Sequence, residues 1–130
     1  MILKLSKTIF VFQKILMSIK LFFELIKFRL SFLVTFSSVV GFLLSSNYIN
    51  YFSLFILIIS GFFITGSSII NNQIIEKDSD KLMNRTKNRP LPTNKISSRN
   101  ALFISLALSI TGLILMVLFL IIRANKHKTI

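Results

Sequence analysis

The sequence has no cysteine and a single histidine, His127. A chain without cysteine has no disulfide framework, no thiolate nucleophile and no cysteine-based metal site. Acidic residues are almost as scarce: four Asp and Glu against sixteen Lys and Arg, for a formal net charge of +12. Charge of either sign is missing from two long stretches, between Arg29 and Glu76 and between Arg99 and Arg123. No small-residue cleavage site follows the first apolar run, which argues against a secretory signal peptide.

The uncharged stretches set the class. Hydrophobic residues make up 53% of the chain and its mean hydropathy is +0.75, too apolar for a soluble domain of 130 residues. A helix crossing a bilayer needs about 20 apolar residues. The first gap holds two, separated by the polar break "NYINY" at 47–51, and the second holds one. The expected fold is therefore all-α, with multi-pass transmembrane helices over 27–46, 52–75 and 101–122. Lys and Arg flank these spans as juxtamembrane cations do beside anionic lipid, rather than decorating a soluble framework. That excludes nucleic acid as the partner and makes membrane lipid one.

Residues 8–27, "TIFVFQKILMSIKLFFELIK", are also helical in pattern. Gln13, Lys20, Glu24 and Lys27 form a narrow polar stripe on an otherwise apolar surface, which suits an interfacial amphipathic helix ahead of the first span. Cations crowd the N-terminal segment and the 73–100 loop, while 47–51 has no charge. The positive-inside tendency then puts the N-terminus and that loop on the cytoplasmic side of the cell (inner) membrane. Arg123, Lys126 and Lys128 fall on the opposite, disfavoured side. Such an ending is expected of an N-terminal part of a larger bundle: a truncated or frameshifted chain, or half of a split enzyme.

In the second span Gly61, Thr65, Ser68 and Asn72 make a stripe of small residues. It suits close helix packing, or the wall of a cavity leading to a polar site. Its continuation reaches the acids. Three of the four lie within five positions, Glu76, Asp78 and Asp80. A helix running on past Ile75 carries Asn72, Glu76 and Asp80 on one face, with Asp78 opposite, solvated or paired with Lys77, Lys81 or Arg85. An amide and two carboxylates suit a hard cation such as Mg²⁺, which keeps its other positions for water and phosphate oxygens. Arg85, Lys87 and Arg89 follow, and Arg grips phosphate through paired hydrogen bonds. Beside lipid, this reads as a site for a Mg²⁺-bound diphosphate with an apolar tail. The plainer alternative is a solvated loop whose acids balance the adjacent Lys and Arg.

The stretch "NQIIEKDSDKLMNRTKNRPLP" resembles the first acid-rich motif of the UbiA superfamily of intramembrane prenyltransferases, in particular its protoheme IX farnesyltransferase (haem O synthase) branch. The matching positions are Asn72, Glu76 and Asp80, with Gln73 where the superfamily often has Asp, and then Met83, Arg85, Thr86, Asn88, Arg89 and Pro90. Upstream, "LIKFRLSFLVTFSSVVGFLL" is similar to the start of the family's first span, with Phe28 in place of a proline. The resemblance implies a helical membrane enzyme in which Asn72, Glu76 and Asp80 hold Mg²⁺ and are catalytic. Arg85, Lys87 and Arg89 would be substrate-binding, with farnesyl diphosphate and haem b as substrates and haem O as product. It also implies a second acid-rich motif, and no Asp or Glu follows Asp80. A companion C-terminal fragment is therefore the expected partner, and these residues alone are not expected to be active. Two other classes remain open: a UbiA-type enzyme acting on a quinone or chlorophyll precursor, and a non-catalytic small membrane protein binding anionic lipid or a partner.

Overall fold

In a computed structural model, residues 1–129 are described, apart from the side chain of His127. The resemblance implies haem-binding elements that the single histidine, His127, does not match, and the side chain of His127 falls outside those described. Five helices follow in chain order: α1 (Ile2–Leu25), α2 (Phe28–Ser45), α3 (Tyr51–Ile75), α4 (Lys77–Leu82) and α5 (Ser98–Lys128), with no sheet among the described residues. Three are long and apolar enough to cross a membrane: Phe28–Ser45, Tyr51–Ile75 and Ser98–Lys126. The protein is an all-α, multi-pass membrane protein, and its spans lie within a few residues of those read from charge-free length. The third helix differs most. It continues to Lys128 because nothing in "RANKHK" breaks a helix, although the apolar run ends at Ile122.

The helix ends follow local chemistry. The α2–α3 connection stops at Asn50, whose side chain accepts from the Phe52 N–H (3.2 Å) and so caps α3. Ser97 caps α5 in the same way through the Asn100 N–H (3.2 Å). Between α1 and α2 the chain turns on Ile26 and Lys27, and Lys27 takes the left-handed conformation (φ 46°, ψ 66°). That conformation costs an L-residue about 1–2 kcal/mol, so something must hold the turn. Ser31 Oγ donates to the Ile26 carbonyl (2.8 Å), and Gln73 Nε2 on α3 donates to the Leu25 carbonyl (2.6 Å).

The core lies between α3 and α5, with α2 against the other side of α3. At one end Leu25, Ile26, Ile70, Leu91 and Ala101 are buried together; at the other, Phe42, Ile56, Leu57 and Phe119. Small residues permit the approach, but they are not the predicted stripe. Gly61 does pack on Thr35 of α2, whereas Ser68 and Asn72 are exposed. The face turned to α5 carries Ser53, Ser60 and Ser67, all buried and seven residues apart. Ser67 donates to the Ser105 carbonyl (2.9 Å), Ser105 donates to Asn71 Oδ1 (2.7 Å), and Ser60 lies 3.8 Å from Met116 Sδ. From α5, Gly112 meets the backbone of α3: a Cβ there would lie 2.8 Å from Ile64 Cγ1 and 3.2 Å from the Ile64 nitrogen.

Candidate functional site

The acidic segment is nearly, but not fully, one helix. Glu76 leaves helical geometry (φ −84°, ψ 0°) and separates α3 from α4. Two backbone bonds still span the break, from the Glu76 N–H to the Asn72 carbonyl (2.9 Å) and from the Asp80 N–H to the Glu76 carbonyl (2.8 Å). Residues 72, 76 and 80 therefore keep their one-turn spacing. Asn72 and Glu76 are exposed, and Asp80 is buried. Asp78 behaves as its position predicts: it is 97% exposed and 3.8 Å from Lys81.

The connection after α4 folds back over the acids. Thr86 is buried, with its hydroxyl donating to the Asp80 carbonyl (3.2 Å), and Leu91 is fully buried in the core. This clasp delivers Arg89. Its Nη1 lies 2.8 Å from Asp80 Oδ2 and 3.5 Å from Glu76 Oε2, so one guanidinium joins the two carboxylates. Asp80 keeps only 5% of its side chain exposed, against 57% for Glu76. The inner pair is thus held away from water, where a charge pair is strong but costly to break. The outer one is open.

Lys27 completes the group. Burial lowers its pKa from the ordinary lysine value, and the nearby Arg89 and Arg85 lower it further; Glu76 and Asp80 oppose them. The α1–α2 turn thus places Lys27 within electrostatic range of the acids and of Arg89. Arg85 is exposed and close enough to act on Lys27, while Lys87 turns to Asn84 Oδ1 (3.2 Å). Of the residues singled out in the sequence, Glu76, Asp80 and Arg89 are in direct contact, and Asn72 stands one turn along the same face. Lys27 lies within electrostatic range of the cluster, and in the sequence its place at the end of the polar stripe and at the start of the family-like first span signals it. Gln73 shapes the site without facing it, and nothing in its spacing marks that role.

No three His, Cys, Asp or Glu side chains gather into a metal-binding group among the described residues. The oxygen donors at hand are two carboxylates and the Asn72 amide. Glu76 and Asp80 each use one oxygen on Arg89, and the other carboxylate oxygen of each has no protein partner among the described residues. Two carboxylates that converge on one cation, with an exposed amide one turn away, are the all-oxygen kind of donor set that suits a hard divalent ion keeping most of its coordination for water and phosphate.

A profile of the UbiA prenyltransferase family matches residues 33–124. The chain is 42% identical over 95 residues to the protoheme IX farnesyltransferase of Christiangramia forsetii, covering 73% of this chain and 32% of that protein. It is 45% identical over 95 residues to that of Flavobacterium psychrophilum (71% and 32%). With that of Cytophaga hutchinsonii the identity is 40% over 104 residues (79% and 36%). The chain thus spans about a third of the length of these relatives. No solved structure matches it.

Proposed function

The chain belongs to the UbiA prenyltransferase family, and from that premise we propose that it forms the first part of a protoheme IX farnesyltransferase. The reaction is transfer of the farnesyl group of farnesyl diphosphate to haem b, giving haem O. One observation carries this reading: Glu76 and Asp80 share Arg89, with Lys27 beside them, at the end of three apolar helices. Relatives bearing that enzyme's name support the choice of donor and acceptor.

The part played by these residues is to hold the diphosphate end of the donor. Lys27, Arg85 and Arg89 meet its oxygens, and the lipid-facing helices take the farnesyl tail. As the bond between farnesyl C1 and oxygen breaks, the electron pair leaves with the diphosphate, and cations fixed beforehand stabilise that growing charge. A vinyl carbon of haem b then bonds to C1, and water adds the hydroxyl group, its spare proton going to solvent. Asn72, Glu76 and Asp80 would hold Mg²⁺, which when bound neutralises charge on the departing diphosphate. Lys87, turned to Asn84, lies at the rim of this site as a further phosphate contact. The remaining part of the cavity comes from chain beyond these residues, in a companion polypeptide or a longer one. The cation-rich N-terminus and the 73–100 segment face the cytoplasm at the inner membrane.

The test is equilibrium binding of Mg²⁺–farnesyl diphosphate to the purified chain in detergent, with haem O formation measured in parallel. The E76Q/D80N variant should bind at least tenfold more weakly, and the chain alone should yield no haem O. Unchanged binding by the variant would remove the acid row from the mechanism. Haem O from the chain alone would show that no further segment is needed.

A further inference from the structure

The end of the bundle away from the acid cluster holds a separate cavity of about 380 Å³. Phe42, Ser46, Tyr48 and Asn50, from the end of α2 and the connection to α3, form one wall; Arg123 and Lys126 of α5 form the other. The two cations are three residues apart and so share a face of α5. Each lies on an aromatic ring: the Arg123 guanidinium is 5.0 Å from the centre of Phe42, and the Lys126 ammonium 4.7 Å from that of Tyr48. Such contacts hold the charged heads in place while leaving their donors free on the other side.

No side-chain carboxylate among the described residues balances that charge, on either Arg123 or Lys126. The four acids, Glu24, Glu76, Asp78 and Asp80, all belong to the opposite end, at the close of α1 and around α4. Ser46 supplies an independent sign. Its hydroxyl is buried in this wall with no hydrogen-bond partner among the described residues, and a buried polar group left alone is costly. Two fixed cations and an orphaned hydroxyl around one hollow ask for an anion with several acceptor oxygens.

We propose that this cavity binds the phosphate headgroup of an anionic phospholipid, with Arg123 and Lys126 on its oxygens and the Ser46 hydroxyl donating to them. Lipid is the source because the hollow opens where three membrane-length helices end, at headgroup depth, with the exposed Tyr48 placed as interfacial tyrosines are. The glycerol backbone and upper acyl chains then lie along the apolar surface of α2 and α5. The site shares no residue with the acid cluster and is independent of the proposed prenyl transfer.

The experiment titrates the detergent-solubilised full chain with short-chain phosphatidylglycerol, phosphatidylcholine and inorganic phosphate, reading bound lipid by native mass spectrometry. Phosphatidylglycerol should bind roughly tenfold tighter than phosphatidylcholine. R123Q/K126Q should lose that preference, and S46A, which leaves both cations in place, should weaken it severalfold. K95Q/R99Q, equal in charge change but at the other end of the bundle, should keep it. Equal binding of the two lipids, or full retention by R123Q/K126Q, overturns the proposal. Occupation by inorganic phosphate at the lipid's own concentration overturns the lipid assignment, and the unchanged melting temperature of lipid-free R123Q/K126Q excludes misfolding as the cause of a loss.

Discussion

Gln73 Nε2 donates a 2.6 Å hydrogen bond to the carbonyl of Leu25, forty-eight residues earlier in the chain. Gln73 is 2% exposed and Leu25 is fully buried, so the bond is made without water. It satisfies a carbonyl that the end of α1 leaves free, and it fixes the turn that carries Lys27 to the acids. The candidate site therefore depends on a contact made behind it.

Gln73→Leu should cost about 1–3 kcal/mol, because the Leu25 carbonyl is left buried and unpaired. Detergent unfolding by heat or denaturant measures the loss. Gln73→Glu should cost more, since its carboxylate offers the carbonyl no donor unless protonated. Equal stability of wild type and Gln73→Leu would show that the elbow holds without this bond.

The two acids of the row should separate by experiment. Asp80→Ala strips a buried ion pair of one partner and should destabilise by about 3 kcal/mol, leaving the Arg89 charge half-buried. Glu76→Gln changes an exposed carboxylate 3.5 Å from the same guanidinium, and its melting temperature should stay within a degree or two of wild type. Diphosphate binding should fall in both. A stability loss as large for Glu76→Gln as for Asp80→Ala contradicts the burial difference between them.

Lys27 makes stability depend on pH. Its folded-state pKa lies below the ordinary value of 10.5, chiefly through burial and then through Arg89. Between the lowered value and 10.5 the unfolded chain binds more protons than the folded one, so this residue's contribution rises with pH across that window. Below the window the full penalty of the charge is present. Lys27→Met should accordingly be more stable than wild type at pH 7, with the advantage shrinking as pH approaches 10.5. Melting curves of both proteins over that range are the measurement, and an advantage that grows with pH reverses the sign.

Gly112→Ala should destabilise the α3–α5 pair by about 1–3 kcal/mol. The new methyl would lie 2.8 Å from Ile64 Cγ1 and 3.2 Å from the Ile64 backbone nitrogen, so helix and side chain must both shift. Gly41, whose Cβ position is open, serves as the control and should accept Ala at no loss. Comparable melting temperatures for the two variants would mean that the helices are not so closely apposed.

The spans could be read from the chain because a bilayer demands apolar length and the charges are confined to the ends of that length. Glu76 and Asp80 were legible as neighbours for a similar reason, since one helical turn is local geometry. The packing stripe was not. Gly61, Thr65, Ser68 and Asn72 satisfy the same small-residue rule as Ser53, Ser60 and Ser67, and α3 offers both faces. Only the position of α5, with Ser105 and Gly112 turned inward, selects the second.

The amino-acid order alone determined a membrane protein with three spans and an acidic row at one edge, because hydropathy and helical period are properties of neighbouring residues. Tertiary structure decided which charges meet. Arg89 reaches back nine and thirteen residues to Asp80 and Glu76 because Thr86 and Leu91 anchor its segment. Lys27 joins them because Gln73 holds the turn beneath it. Those encounters link remote parts of the chain, and they exist only once the helices have packed.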